Sequence, residues 1–216
     1  MRLRLGRLVL LASVAGGLPA QVITFETGGL KYQTQTKGGV TVMFAHLPGH
    51  LREYAIVQVA VSNGSRLPAV VRPEDFTFQR PDGSAIRAAP PHGVVRELLA
   101  RGSRDDVMQL VVTYEAALYG IPGIRSTNGY QQRRLSAEAE LTSTKLKAAA
   151  AASAIAFVEN KLAPGESTDG AVFFPTDGKP LGPGRLRLPV AASVFEFDSE
   201  PDLSKSLRPS RVEKKY

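Results

Sequence analysis

Hydrophobic and polar positions change their period twice along the chain. From Val22 to Ala88 apolar residues recur mostly at every second position. Val40, Val42 and Phe44 alternate with Thr41, Met43 and Ala45. Over Glu53–Ser62, Ala55, Val57, Val59 and Val61 share one face, while Tyr54, Ile56, Gln58 and Ala60 share the other. Successive side chains of a strand point to opposite faces. One strongly apolar face beside a mixed one predicts a strand on the inner side of a sandwich. Asn63-Gly64-Ser65 ends that strand. It also fits a glycosylation acceptor, but Asn-Gly is a favoured turn pair between strands, which makes a turn the stronger expectation. Phe76 and Phe78 share a face of the next strand, and Pro81-Asp82-Gly83 turns the chain after it. Proline presets one dihedral there and glycine accepts positive φ.

The period lengthens after Pro90-Pro91. Val94–Arg101 predicts a short helix stopped by Gly102. Ser103 followed by Asp106 resembles a capping box, with Asp in place of the longer Glu. Val107, Leu110, Val111, Tyr114 and Leu118 then fall at helical spacing, and Gly120 ends that stripe. Tyr130–Ser153 is rich in good helix formers and carries only a thin apolar stripe of Leu135, Leu141 and Leu146 before five alanines, Ala148–Ala152. Such a helix packs closely through small residues or lies partly exposed. Lys145 and Lys147 argue against its insertion into a membrane.

Strand signals return near Ile155 and lead through Val158 and Leu162 to the turn Pro164-Gly165. Ala171–Phe174 is the next run, and Arg185–Phe197 gives one or two final strands. The two β-rich stretches, 21–88 and 155–198, together match an immunoglobulin-like sandwich of about 100 residues. The expected fold is therefore mainly β: an immunoglobulin-like antiparallel β-sandwich carrying a helical insertion over 89–154, with a charged, flexible tail over 199–216.

Residues 1–20 read as an address. Arg2, Arg4 and Arg7 precede an apolar run, Leu8–Val14, and small residues lead to Leu18-Pro19-Ala20. This is the order of a secretory signal peptide, with cleavage after Ala20 or, alternatively, after Gly17. The run is too short to span a bilayer. Export to the periplasm or beyond is the expectation, with no transmembrane segment once the signal is removed.

The run Ala55–Asn63, the segment Arg72-Pro-Glu-Asp-Phe-Thr-Phe78 and the turn Pro81-Asp-Gly83 resemble bacterial exported immunoglobulin-like (telokin-like) domains. Leu162-Ala-Pro-Gly-Glu-Ser167, followed by Gly170-Ala-Val-Phe-Phe174, is similar to a late hairpin of those domains. The resemblance covers about half of the chain that follows the signal, and the helical stretch departs from it. It implies a sandwich and an envelope location, and it brings no catalytic residues.

The net charge is +7, of which the leader arginines supply three. That balance does not call for nucleic acid. There is no Cys, which excludes disulfides, thiolate metal sites and a cysteine nucleophile. His46 and His50 flank Pro48-Gly49 and cannot share a helix face, so they read as solvated loop histidines rather than metal ligands. No cofactor and no metal are expected. Nucleophile elbows, phosphate loops and dinucleotide fingerprints are missing from the sequence. Carboxylate pairs occur at Asp105-Asp106, where a helix start favours negative charge, and at Glu138/Glu140.

The stretch 119–134 joins two predicted helices through Gly and Pro and gathers Tyr119, Arg125, Asn128, Tyr130, Arg133 and Arg134. Tyr and Arg are frequent binding anchors, and arginine forks suit carboxylate or phosphate groups. A plain helix–helix connection is the competing reading. These residues support an exported, non-catalytic binding or assembly module of the bacterial envelope, whose partner is an envelope protein or an anionic glycan. The alternative is a hydrolase of envelope polymers using acids from the helical stretch.

Overall fold

A computed structural model describes residues 21–27, 30–106, 108 and 143–199. In chain order the strands are β1 (Ile23–Thr27), β2 (Leu30–Lys37), β3 (Val40–Leu51), β4 (Tyr54–Asn63), β5 (Ala69–Val71), β6 (Thr77–Gln79), β7 (Ala85–Arg87), β8 (Asn160–Leu162), β9 (Ser167–Pro175), β10 (Gly184–Val190) and β11 (Ser193–Ser199). Helices α1 (Pro91–Arg101) and α2 (Thr144–Ile155) fall between β7 and β8. The chain is mainly β, in antiparallel sheets. A five-stranded sheet has the order β1-β2-β3-β4-β9, a four-stranded one the order β11-β10-β6-β7, and β5 pairs with β8.

The alternating pattern decides which sheet faces meet. Val42, Phe44, Val57, Val59, Val172 and Phe174 of the larger sheet share one buried cluster with Phe78, Leu186, Leu188, Phe195 and Phe197 of the smaller. Phe44 lies 5.8 Å from Phe197 and Phe78 lies 6.3 Å from Phe174, ring centre to ring centre. Two antiparallel sheets enclosing one apolar layer are compatible with a β-sandwich.

The larger sheet is covered on its other face too. Tyr32, Ala45, Leu47, Tyr54, Ile56 and Phe173 form a second cluster with Val94 and Leu98 of α1 and with Ala148, Ala149, Ala152 and Ile155 of α2. Nearly every residue of β4 is buried in consequence. Of its mixed face, Tyr54 and Ile56 pack against the helices. The alanines of α2 meet the expectation of close packing through small residues. At Gly102 an added Cβ would fall 2.8 Å from the Ala148 Cβ and 2.5 Å from the Leu98 carbonyl oxygen, so the two helices approach at a distance that excludes a side chain.

Several boundaries differ from the sequence reading. Helix α1 begins at Pro91, a position where proline costs nothing because the first helical N–H has no intrahelical partner. Ile155 is the last residue of α2, not the start of a strand; its side chain belongs to the helix–sheet cluster. Ser199 ends β11 and is not part of a tail. Strand β3 runs on to Leu51, with its register against β4 shifting between His46 and His50, so these histidines sit in an irregular strand and not in a loop. The predicted leader, the second predicted helix beyond Asp106 (Met108 apart) and the tail from residue 200 lie outside the described residues.

Candidate functional site

The six residues singled out above, Tyr119, Arg125, Asn128, Tyr130, Arg133 and Arg134, lie outside the described residues, as do Glu138 and Glu140. What the structure describes is the chain that flanks that stretch in sequence, up to Asp106 and again from Ser143. The β3–β4 hairpin ends in Arg52 and Glu53, and Arg52 holds a positive φ of 51°. This bend aims the guanidinium at the segment that follows α1. Arg52 Nε and Nη2 donate to Asp106 Oδ2 at 3.1 and 3.0 Å, and Nη2 also donates to the Arg101 carbonyl.

The same Asp106 oxygen accepts the Ser103 N–H at 2.7 Å and the Ser103 hydroxyl at 2.9 Å, while the Asp106 N–H donates back to Ser103 Oγ at 3.3 Å. This is the reciprocal capping arrangement expected from Ser103 and Asp106, closed by the shorter acid. Asp106 is buried, and its Oδ2 is saturated by donors that hold the backbone. Such a carboxylate anchors structure.

A second contact fastens the hairpin to α1. The Tyr54 hydroxyl donates to Glu97 Oε2 at 3.0 Å. Burial, then the hydrogen bond and negative charge of Glu97, raise the Tyr54 phenol above its ordinary range. Burial and the neighbouring Glu97 also raise the Glu53 carboxyl, against the opposing pull of Tyr54 and Arg101. Glu53, Tyr54 and Glu97 thus meet across the hairpin–helix junction. Tyr32, deeper under the helices, is pushed up by burial to about 12.

One pair was invisible to sequence reasoning. His46 Nε2 and Ser199 Oγ lie 2.9 Å apart although 153 residues separate them. A serine–histidine contact invites comparison with an activated nucleophile, but the Ser199 hydroxyl donates to the Gly182 carbonyl at 2.8 Å. The hydroxyl has one proton and two acceptors within reach, so the contact by itself does not make the ring its base. The pair ties β3 to the end of β11. Among the described residues no group of three or more His, Cys, Asp or Glu could hold a metal ion, and no helix is long and apolar enough to cross a membrane.

Asn63 is settled by its surroundings. Its Nδ2 donates to the carbonyls of Leu67 and Leu162 at 2.8 and 3.0 Å, and its Oδ1 accepts from the Ser65 N–H and hydroxyl. A fully buried amide with both ends engaged is a turn organiser and not a glycosylation acceptor in the folded chain. Comparison of the chain with protein-family models, curated proteins and solved structures finds no match.

Proposed function

We propose that this chain is an exported, non-catalytic binding or assembly module of the bacterial envelope. In this reading an immunoglobulin-like, telokin-like sandwich is the scaffold and the stretch 119–134 is the contact surface. The single observation that carries it is the anchorage of the chain on both sides of the segment 107–142. Arg52 clamps Asp106 on one side, and on the other the alanines of α2 pack against α1 and the larger sheet. Binding loops work best when a rigid base fixes both of their ends.

The chemistry of the stretch favours an acidic partner, either an envelope protein with exposed carboxylates or an anionic glycan. The leader-like residues 1–20 support export. The hydrolase reading draws no support from Asp106, whose Oδ2 is held by Arg52 and by the Ser103 N–H and hydroxyl. The test is capture from envelope extracts and binding to immobilised anionic glycans, comparing the parent with Arg125→Ala and Tyr130→Ala. Loss of binding in both variants, with unchanged thermal unfolding, is the expected result. Equal binding by parent and variants overturns the assignment of the surface.

A further inference from the structure

Sheet edges present unpaired backbone groups, and exposed ones recruit other strands. Two of the edges here are occupied. The outer side of β9 is covered by backbone: the Phe157 N–H donates to the Ala171 carbonyl and the Ala89 N–H to the Phe173 carbonyl, both at 2.8 Å. The outer side of β11 is covered by side chains. Gln33 Nε2 donates to the Asp198 carbonyl at 2.5 Å, the Glu196 N–H donates to Gln35 Oε1 at 3.3 Å, and Lys37 Nζ donates to the Val194 carbonyl at 2.5 Å.

The spacing is that of a strand. Donors and acceptor on β2 come at every second residue, and their partners on β11 come at every second residue in the opposite direction. Those partners, Val194, Glu196 and Asp198, turn backbone groups away from β10, as their bonds to β2 side chains show, while Phe195 and Phe197 between them are buried in the core. Lys37 also stands 5.5 Å over the Phe195 ring, which fixes the end of the row. Charge does not protect this edge. Glu196 and Asp198 would repel a like strand, but Arg185 and Arg187 pair with them on the same sheet.

We propose that Gln33, Gln35 and Lys37 act as a surrogate strand, occupying one outward backbone group on each of Val194, Glu196 and Asp198 and closing that edge to pairing with another chain. In a solution of the pure protein the strand excluded is the β11 edge of a second copy. The row joins the two sheets at one corner and gives these polar residues, on the inner side of β2, their reason for being there. This function of β2 is independent of whatever the stretch 119–134 binds.

The test begins with amide exchange of the full chain. Gln35→Ala should speed exchange of the Glu196 amide about three- to tenfold, the value of one such hydrogen bond, while the Phe195 and Phe197 amides keep their protection. The triple variant Gln33→Ala, Gln35→Ala, Lys37→Ala should then associate with rising concentration in sedimentation, where the parent does not change. Adding Glu196→Pro removes the outward N–H without touching the β10 ladder, and should abolish the association. Unchanged Glu196 exchange in Gln35→Ala overturns the proposal. So does a folded triple variant that sediments as the parent does, or an association that survives Glu196→Pro. If the triple variant does not fold, the single variant decides by its exchange.

Discussion

The Asn63 side chain closes the turn after β4 and reaches across to the chain that enters β9. The backbone joins in, with Asn63 N–H donating to the Glu166 carbonyl at 2.9 Å and Gly165 N–H to the Asn63 carbonyl at 2.6 Å. The Asn63 turn and Leu162–Ser167, two separate sequence features, are therefore one clasp. Asn63→Ala should cost about 2–4 kcal/mol in urea unfolding, because it strands the buried Leu162 carbonyl and frees the Ser65 loop. Asn63→Asp should be no better, since it sets an acceptor against two carbonyls. Titration gives a second check at this scale. Tyr32 reaches about 12 in the folded chain, so above pH 10 the unfolded chain ionises first and stability falls as pH rises through that window. Tyr32→Phe should remove that part of the alkaline decline, and of the two late tyrosines in the parent's ultraviolet titration, Tyr32 and Tyr54, it should remove one. Glu53 has the same sign at lower pH. Its raised carboxyl gives stability that is complete below 4.5 and lost as pH rises past the folded value, which Glu53→Gln should flatten.

Elements were legible where a side chain's task matched its hydrophobicity. Strand β4 announced itself by alternation, Asn63-Gly64-Ser65 by turn chemistry, and Ser103 with Asp106 by capping. Strand β2 did not, because the side chains it turns toward the other sheet are Lys31, Gln33, Gln35 and Lys37; three of them bond to β11, so the usual apolar alternation is absent. Ile155 misled for the opposite reason: a β-branched residue after an alanine run reads as a strand start, yet packing under α2 claims it. Arg52 gave no signal at all, since its partner lies beyond a helix. Two predictions belong here. Gly170 sits on β9 with the Phe157 backbone so close that an added Cβ would fall 2.5 Å from its Cα. Gly170→Ala should push the 156–157 segment off the β9 edge and cost about 1–3 kcal/mol, visible as faster exchange of the Phe157 amide. Arg52→Ala and Asp106→Ala should each cost about 1.5–3 kcal/mol, with a double-mutant cycle giving a coupling of about 1 kcal/mol or more. A coupling near zero would mean that the hairpin does not hold the helical segment.

At the scale of the whole molecule the larger sheet is the middle layer, and this changes what the stretch 89–154 does for the fold. The sequence suggested helices hung outside a self-sufficient sandwich. In the structure α1 and α2 cover a face that carries Leu30, Tyr32, Leu47, Ile56 and Phe173, all buried. Each large side chain so covered contributes about 1.5–3 kcal/mol relative to exposure. Several of them together approach the whole stability of an ordinary domain, about 5–15 kcal/mol. The four-stranded sheet cannot compensate, because its apolar residues are already committed to the other face. Replacing 89–154 by a short polar linker should therefore leave a chain that binds a hydrophobic dye strongly, loses near-ultraviolet circular dichroism and aggregates. Residues 107–142 alone are a different matter: α1, the Ser103–Asp106 cap and α2 would all but remain. A linker confined to that interval should preserve cooperative unfolding if the described layers carry the fold, with any loss of binding then assigned to the removed stretch. If the larger excision instead yields a soluble protein that unfolds cooperatively at the parent's temperature, the two sheets need no third layer, and the burial of the β4 outer face contributes little to stability.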